Sequence, residues 1–272
     1  MKTHIQFLIA GTILLMSLFT SCKKDNDDNN TNNPNTEDLV LAGQAYTDQG
    51  SILVKVYGED SLYSAYTKLY IELRDSATNN LISDAEITLL PQMPMMGHAA
   101  PFENPASTAA VEGLFPCAVV FQMPGTSGWV LDIHVKELAG NKEGDVSIPV
   151  VVNTPSPVRT KVITALNGTD KIIISYLEPS SPEVGINDFE ITLHKKETMM
   201  SFPAVENYTV EIEPEMPSMG HGSPNNVNPS HTGNGHYEGK VNFTMTGEWY
   251  INLRIMNGSE AVDTTSYFVV TF

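Results

Sequence analysis

Apolar and polar residues alternate in short runs along most of this chain. Leu69, Ile71 and Leu73 alternate with Tyr70, Glu72 and Arg74, and Val241, Phe243 and Met245 alternate with Asn242 and Thr244. A period of two marks a strand with one buried face. The pattern predicts strands near 41–47, 51–57, 68–74, 85–90, 115–123, 129–136 and 146–152. It predicts a second series near 158–165, 171–177, 188–194, 208–213, 236–245, 249–256 and 266–272. No helical stripe stands out beyond the first 21 residues. Seven short strands in about 110 residues predict an immunoglobulin-like sandwich. The chain is therefore expected to be all-β, with two tandem immunoglobulin-like β-sandwich domains at 39–153 and 158–272. Thr154-Pro155-Ser156-Pro157 reads as a short, stiff linker between them.

The two series are copies of one another. Gln92-Met93-Pro94-Met95-Met96-Gly97-His98 recurs as Glu215-Met216-Pro217-Ser218-Met219-Gly220-His221, 123 positions later. Gly113-Leu114-Phe115-Pro116-Cys117 aligns with Gly235-His236-Tyr237-Glu238-Gly239, and the alignment continues without gaps to Met123 and Met245. A glycine then precedes tryptophan in each copy, Gly128 before Trp129 and Gly247 before Trp249, and these are the only 2 tryptophans in the chain. Similarity in the same order, at an offset of 123 in the loop (216 − 93) and 122 from Gly113 to Met123 (235 − 113), is the signature of a duplicated unit. Both tryptophans are expected in the core.

Residues 1–21 read as a lipoprotein signal peptide, with Lys2 ahead of an apolar run from Phe7 to Phe19. The run is shorter than the roughly 20 residues a spanning helix needs. Small residues precede Cys22, which is expected to carry the lipid and to attach the chain to a membrane. Residues 22–38 are rich in Asn and Asp and predict a disordered tether. The Lys23-Lys24-Asp25 run resembles the surface-export signal of Bacteroidota lipoproteins. An outer-membrane lipoprotein exposed at the cell surface is the expectation.

Charge narrows the partners. The formal net charge is −17, and removal of Lys2 with residues 1–21 makes it −18. That balance argues against nucleic acid as a partner. With Cys22 lipidated, Cys117 has no partner for a disulfide, and its alternation with Val119 and Phe121 predicts a small buried hydrophobe. The chain has no P-loop, zinc-protease, nucleophile-elbow or dinucleotide motif, so it is not expected to be an enzyme.

The repeated loop carries the candidate chemistry. Proline in Met-Pro-x-Met favours a turn that brings its first and fourth residues within about 7 Å at Cα. Two thioethers and one imidazole would then converge from each copy: Met93, Met96 and His98, and Met216, Met219 and His221. Soft sulfur beside imidazole suits copper, Cu(I) above all. Met123 and Met245 are candidate fourth donors, although their place on an apolar face favours core. His231 and His236 are further candidates in the second copy, and His134 and His194 are expected to be surface or local hydrogen-bonding groups. The expected role is a cell-envelope copper-binding lipoprotein that scavenges, buffers or chaperones the metal, with an envelope protein as partner. The alternative is a metal-free module. Its methionine loops would plug the sandwich ends and face a protein or glycan at the outer membrane surface.

Met-Pro-x-Met-Gly-His, then Asn-Pro, then a glycine-aromatic strand ending in Phe-x-Met, then Gly-x-Trp, resembles the YtkA-like/FixH-like domain. Residues 207–256 carry the closer match through Met216, Met219, Gly220, His221, Tyr237, Phe243, Met245, Gly247 and Trp249. Residues 85–135 match less closely, with Phe115 in place of the tyrosine and a longer link from Met123 to Gly128. The resemblance implies an extracytoplasmic β-sandwich. It also implies metal handling, because FixH-like proteins are associated with cation or copper supply to respiratory oxidases.

Overall fold

The structure is a computed structural model that describes residues 33–272. The expected signal peptide, Cys22 and the tether up to residue 32 lie outside the described residues. The first half contains β1 (Val40–Tyr46), β2 (Ile52–Gly58), β3 (Tyr66–Asp75), β4 (Ala85–Met93), β5 (His98–Ala99), β6 (Phe102–Glu103), β7 (Phe115–Val120), β8 (Gly125–Glu137) and β9 (Glu143–Val152). The second contains β10 (Thr160–Thr164), β11 (Lys171–Glu178), β12 (Gly185–Lys196), β13 (Thr209–Met216), β14 (His221–Gly222), β15 (Val227–Gly233), β16 (His236–Phe243), β17 (Glu248–Asn257), β18 (Glu260–Asp263) and β19 (Tyr267–Thr271). One 3-10 turn, Pro94–Met96, is the only helical element among the described residues.

Each half pairs its strands into two sheets. The first has β1-β2-β3-β7-β6 and β5-β4-β8-β9; the second has β10-β11-β12-β16-β15 and β14-β13-β17-β18, with β19 also on β17. With the extra first strand set aside, β2-β3-β7-β6 is the A-B-E-D order of an immunoglobulin domain. Likewise β5-β4-β8-β9 is the C′-C-F-G order, and the second half repeats both. The chain is thus all-β, two immunoglobulin-like sandwiches in tandem. Alternation puts every second residue inside: β9 reads exposed, buried, exposed along its whole length. Trp129, Phe115 and Phe121 fill the first core, and Trp249, Tyr237 and Phe243 the second.

The differences from the predicted strands have local causes. β4 runs through Pro91 to Met93, past the predicted end at Leu90. The short β5, β6, β14 and β18 and the edge strand β15 fall outside the predicted strands. β15 reads Val227-Asn228-Pro229-Ser230-His231-Thr232-Gly233, with no apolar alternation, because it lines a sheet edge and is bulged at two places. Asn33, within the expected tether, accepts a hydrogen bond from Arg74 Nη2 at 2.8 Å, so the tether meets the first sandwich there. Cys117 is buried as expected, and burial pushes its thiol up to about 12.

The two sandwiches touch through polar groups. Tyr66 N–H donates to Ser175 Oγ at 2.8 Å, and Ala99 N–H donates to the Met199 carbonyl at 2.8 Å. His236 stands between two carboxylates, with Nε2 at 2.8 Å from Glu103 of the first sandwich and Nδ1 at 2.5 Å from Glu190 of its own. Tyr66 packs edge-on against the imidazole and donates its hydroxyl to Glu103 at 3.1 Å. Burial opposes the charge on His236, but the two carboxylates outweigh it and raise its pKa from 6.5 to about 9. His194 lies nearby in the second sandwich, buried rather than on the surface as the sequence suggested. Burial pushes its pKa down to about 4, so it is neutral at pH 7.

A folded pKa above the unfolded one makes the His236 bridge fully stabilising below about pH 6.5. The contribution is lost as pH rises through about 9. Urea unfolding should show stability falling between pH 7 and pH 10 by roughly 1–3 kcal/mol more in the native chain than in His236→Gln. Equal pH slopes for the two would show that the bridge does not carry the charge.

Candidate metal centre

The repeated loop is the hairpin joining strand C to strand C′ in each sandwich. In the first, Met93 ends β4 and pairs across the turn with His98 of β5; in the second, Met216 pairs with His221 in the same register. Directly paired residues of an antiparallel ladder project to one face, with Cβ atoms about 4.5–5.5 Å apart. The turn closes with Gly97 N–H on the Met93 carbonyl and Gly220 N–H on the Met216 carbonyl, both at 3.0 Å. Gly97 and Gly220 both have φ of 63°, the left-handed conformation that glycine adopts without strain.

That geometry sorts the candidate donors into two groups. Met93 (6 % exposed) and Met216 (3 %) enter the cores, whereas Met96 (56 %) and Met219 (61 %) stand out into solvent. The turn therefore brings one thioether of each pair beside the imidazole and leaves the other outside. Met95 is also exposed.

Each imidazole is held in the same way. His98 Nδ1 lies 3.1 Å from the Ala99 carbonyl, and His221 Nδ1 lies 3.0 Å from the Gly222 carbonyl. A carbonyl only accepts, so Nδ1 carries the proton and Nε2 presents its lone pair. The rings meet the two tryptophans edge-on, His98 to Trp129 at 5.5 Å between centroids and His221 to Trp249 at 5.6 Å. His98 is buried, and its Nε2 has no hydrogen-bond partner among the described residues. His221 is only partly covered.

The remaining repeated residues support this corner. Trp129 Nε1–H donates to the Met123 carbonyl and Trp249 Nε1–H to the Met245 carbonyl, both at 3.0 Å. The Asn of each Asn-Pro pair crosses between the sheets: Asn104 Oδ1 accepts from Leu89 N–H at 2.8 Å, and Asn228 Oδ1 from Ile212 N–H at 3.0 Å. The glycine ahead of each tryptophan makes room for the thioether. A Cβ on Gly128 would come within 2.9 Å of Met93 Cε, and one on Gly247 within 3.0 Å of Met216 Cε. Both glycines also have positive φ, 119° and 135°.

Other candidates lie elsewhere. Met245 contributes its carbonyl, and its side chain is largely exposed, contrary to the core position its alternation suggested. Met123 is only partly buried, at the edge of the first core. His236 has both ring nitrogens engaged by carboxylates, and His231 Nε2 accepts from Gly235 N–H at 3.3 Å, so neither joins the loop. His134 is exposed between Glu143 and Asp145, as expected of a surface residue. Among the described residues no three His, Cys, Asp or Glu side chains gather as a metal cage. Any soft-metal site here is built from thioether and imidazole. The sequence reading passed over Met199 and Met200, whose signal was two adjacent methionines in a turn with no counterpart in the first half.

The fold and this corner define a tandem immunoglobulin-like protein with a His-Met-Trp cluster at the same end of each sandwich. Residues 171–254, within the second sandwich, match the YtkA-like family model. The matched span holds Met216, Gly220, His221, Gly247 and Trp249. No curated protein matches the chain significantly. Among solved structures, domains 5–6 of the S-layer protein SbsC are 15% identical, covering 86% of this chain and 98% of that one at a TM-score of 0.29. The Escherichia coli adhesin FdeC is 15% identical over 80% of this chain and 64% of that one, at 0.26. The D00-D0 domain of intimin is 11% identical over 80% of this chain and all (100%) of that one, at 0.24.

Gly247→Ala should destabilise the second sandwich by about 1–3 kcal/mol, through the crowded Met216 methyl and the positive φ together. Urea unfolding checks this. In a Met216→Ala background the added cost of Gly247→Ala should be smaller. The same cost in both backgrounds would place the whole effect in the backbone and none in the thioether.

Proposed function

We propose that this chain is a cell-envelope lipoprotein that binds copper, as Cu(I), at the two His-Met corners, in a scavenging, buffering or chaperone role. The observation that carries the reading is the state of the imidazoles. Each donates Nδ1–H to the carbonyl of the next residue, the arrangement that orients metal-ligating histidines. His98 Nε2 is buried without a partner, which costs free energy in the free protein and leaves a lone pair for a soft ion. Met93 and Met216 stand beside the two imidazoles, and the exposed Met96 and Met219 are free to turn inward as further thioether donors. A copper ion held by thioether and neutral imidazole stays reduced, and an exposed thioether favours release to a partner over tight storage. The lipoprotein-type sequence ahead of Cys22 and the likeness of residues 171–254 to YtkA-like domains support an envelope setting.

Anaerobic titration against a chromophoric Cu(I) chelator should give two ions per chain. Met216→Ala with His221→Ala should remove one of them. Affinity no tighter than micromolar in the native chain would rule the reading out. Growth with labelled palmitate should label the native protein and leave Cys22→Ala unlabelled and released from membranes; label on Cys22→Ala would overturn the anchor.

A further inference from the structure

The two corners differ in what approaches them. Thr198-Met199-Met200-Ser201 is a tight turn between β12 and β13, in which Thr198 N–H donates to the Ser201 carbonyl at 3.3 Å and Met200 N–H to Thr198 Oγ1 at 3.1 Å. Central turn positions favour Pro, Gly, Asn or Asp. Here they hold two methionines, each 43 % exposed. The corresponding loop of the first sandwich, Asp75-Ser76-Ala77-Thr78-Asn79-Asn80, contains no methionine. Residues that break a local preference without a packing reward mark functional positions.

The turn does not stand free. Its Met199 carbonyl accepts the Ala99 N–H at 2.8 Å, so it lies along the strand that carries His98. Met200 lines a cavity of about 560 Å³ between the sandwiches, together with Ala100, Phe102 and His194. Ala99 follows His98 and stands three residues from Met96, at most about 10 Å of chain. The buried, unpartnered His98 Nε2 is in the same segment. On the second corner, among the described residues, no hydrogen bond joins 216–222 to the first sandwich.

We propose that the Met199–Met200 turn supplies thioether donors to the first corner, making its soft-metal site composite, whereas the second corner is self-contained. The inference rests on the Cu(I) reading above. It makes the two ions unequal: the first site gathers sulfur from both sandwiches and grips them together when loaded, and the second binds with its own loop alone.

The test uses the full chain in which Met216→Leu and His221→Ala leave only the first site. Met199→Leu with Met200→Leu is then added. Leucine keeps the volume, and the Met199 backbone carbonyl is untouched. Chelator competition should show at least a tenfold weaker remaining ion, and copper X-ray absorption should show fewer sulfur neighbours. In the otherwise native chain, the same leucine pair should weaken one ion and spare the other. Unchanged affinity and sulfur count overturn the composite site while leaving two-site copper binding standing. If the native chain binds no Cu(I), both proposals fall together.

Discussion

A β-sandwich buries its two inner faces only as far as its last strand pair, and the open end must be filled. In both halves of this protein the filler is a methionine thioether lodged over a glycine that lacks the Cβ it would strike. The residues around this corner follow from that fit. The glycine must stay small, the following indole can then close over the corner, and the histidine paired with the methionine packs against the indole edge. The cost of leaving a void where a methionine side chain belongs is about 2–5 kcal/mol in well-packed cores. Such a cost fits the recurrence of Met, Gly, His, Gly and Trp in the same order in both copies.

Much of this was legible in the sequence, and the part that was not has a common cause. Leu69-Ile71-Leu73 and Val241-Phe243 announce strands because both lie in interior strands whose apolar residues face the core and alternate with polar ones. The Met-Pro turn was readable because proline and glycine fix backbone angles locally. Which sulfur would turn inward was not readable. Met93 goes inside because it ends β4 in register with the buried face, and Met96 stays outside because it sits on the turn. His236 looked like a spare ligand and proved to be an ion-pair bridge. Its partner Glu103 lies more than a hundred positions away, and no local pattern encodes such a meeting. Met199 and Met200 were passed over for the same reason.

The contact between the sandwiches is polar where each core is apolar. Hydrogen bonds from Tyr66 and Ala99, and an imidazolium between two carboxylates, join the two sandwiches. Such directional contacts fix the orientation of the two sandwiches as well as adding stability. The arrangement brings a methionine turn of one half to the histidine strand of the other, which neither half achieves alone.

The bulged edge strand β15 has one more effect. Its backbone passes directly over Gly239, so that any side chain there would overlap the Val227 carbonyl oxygen. At the matching place in the first half, the edge is only the two residues of β6, and Cys117 sits opposite Leu69. Opposite Gly239 stands Phe189, where the first copy has Leu69 opposite Cys117. Edge length and the residue pair beneath it have therefore diverged as one unit. A chimera that exchanged the halves' edge strands without their underlying pairs would leave a hole in one product and a clash in the other.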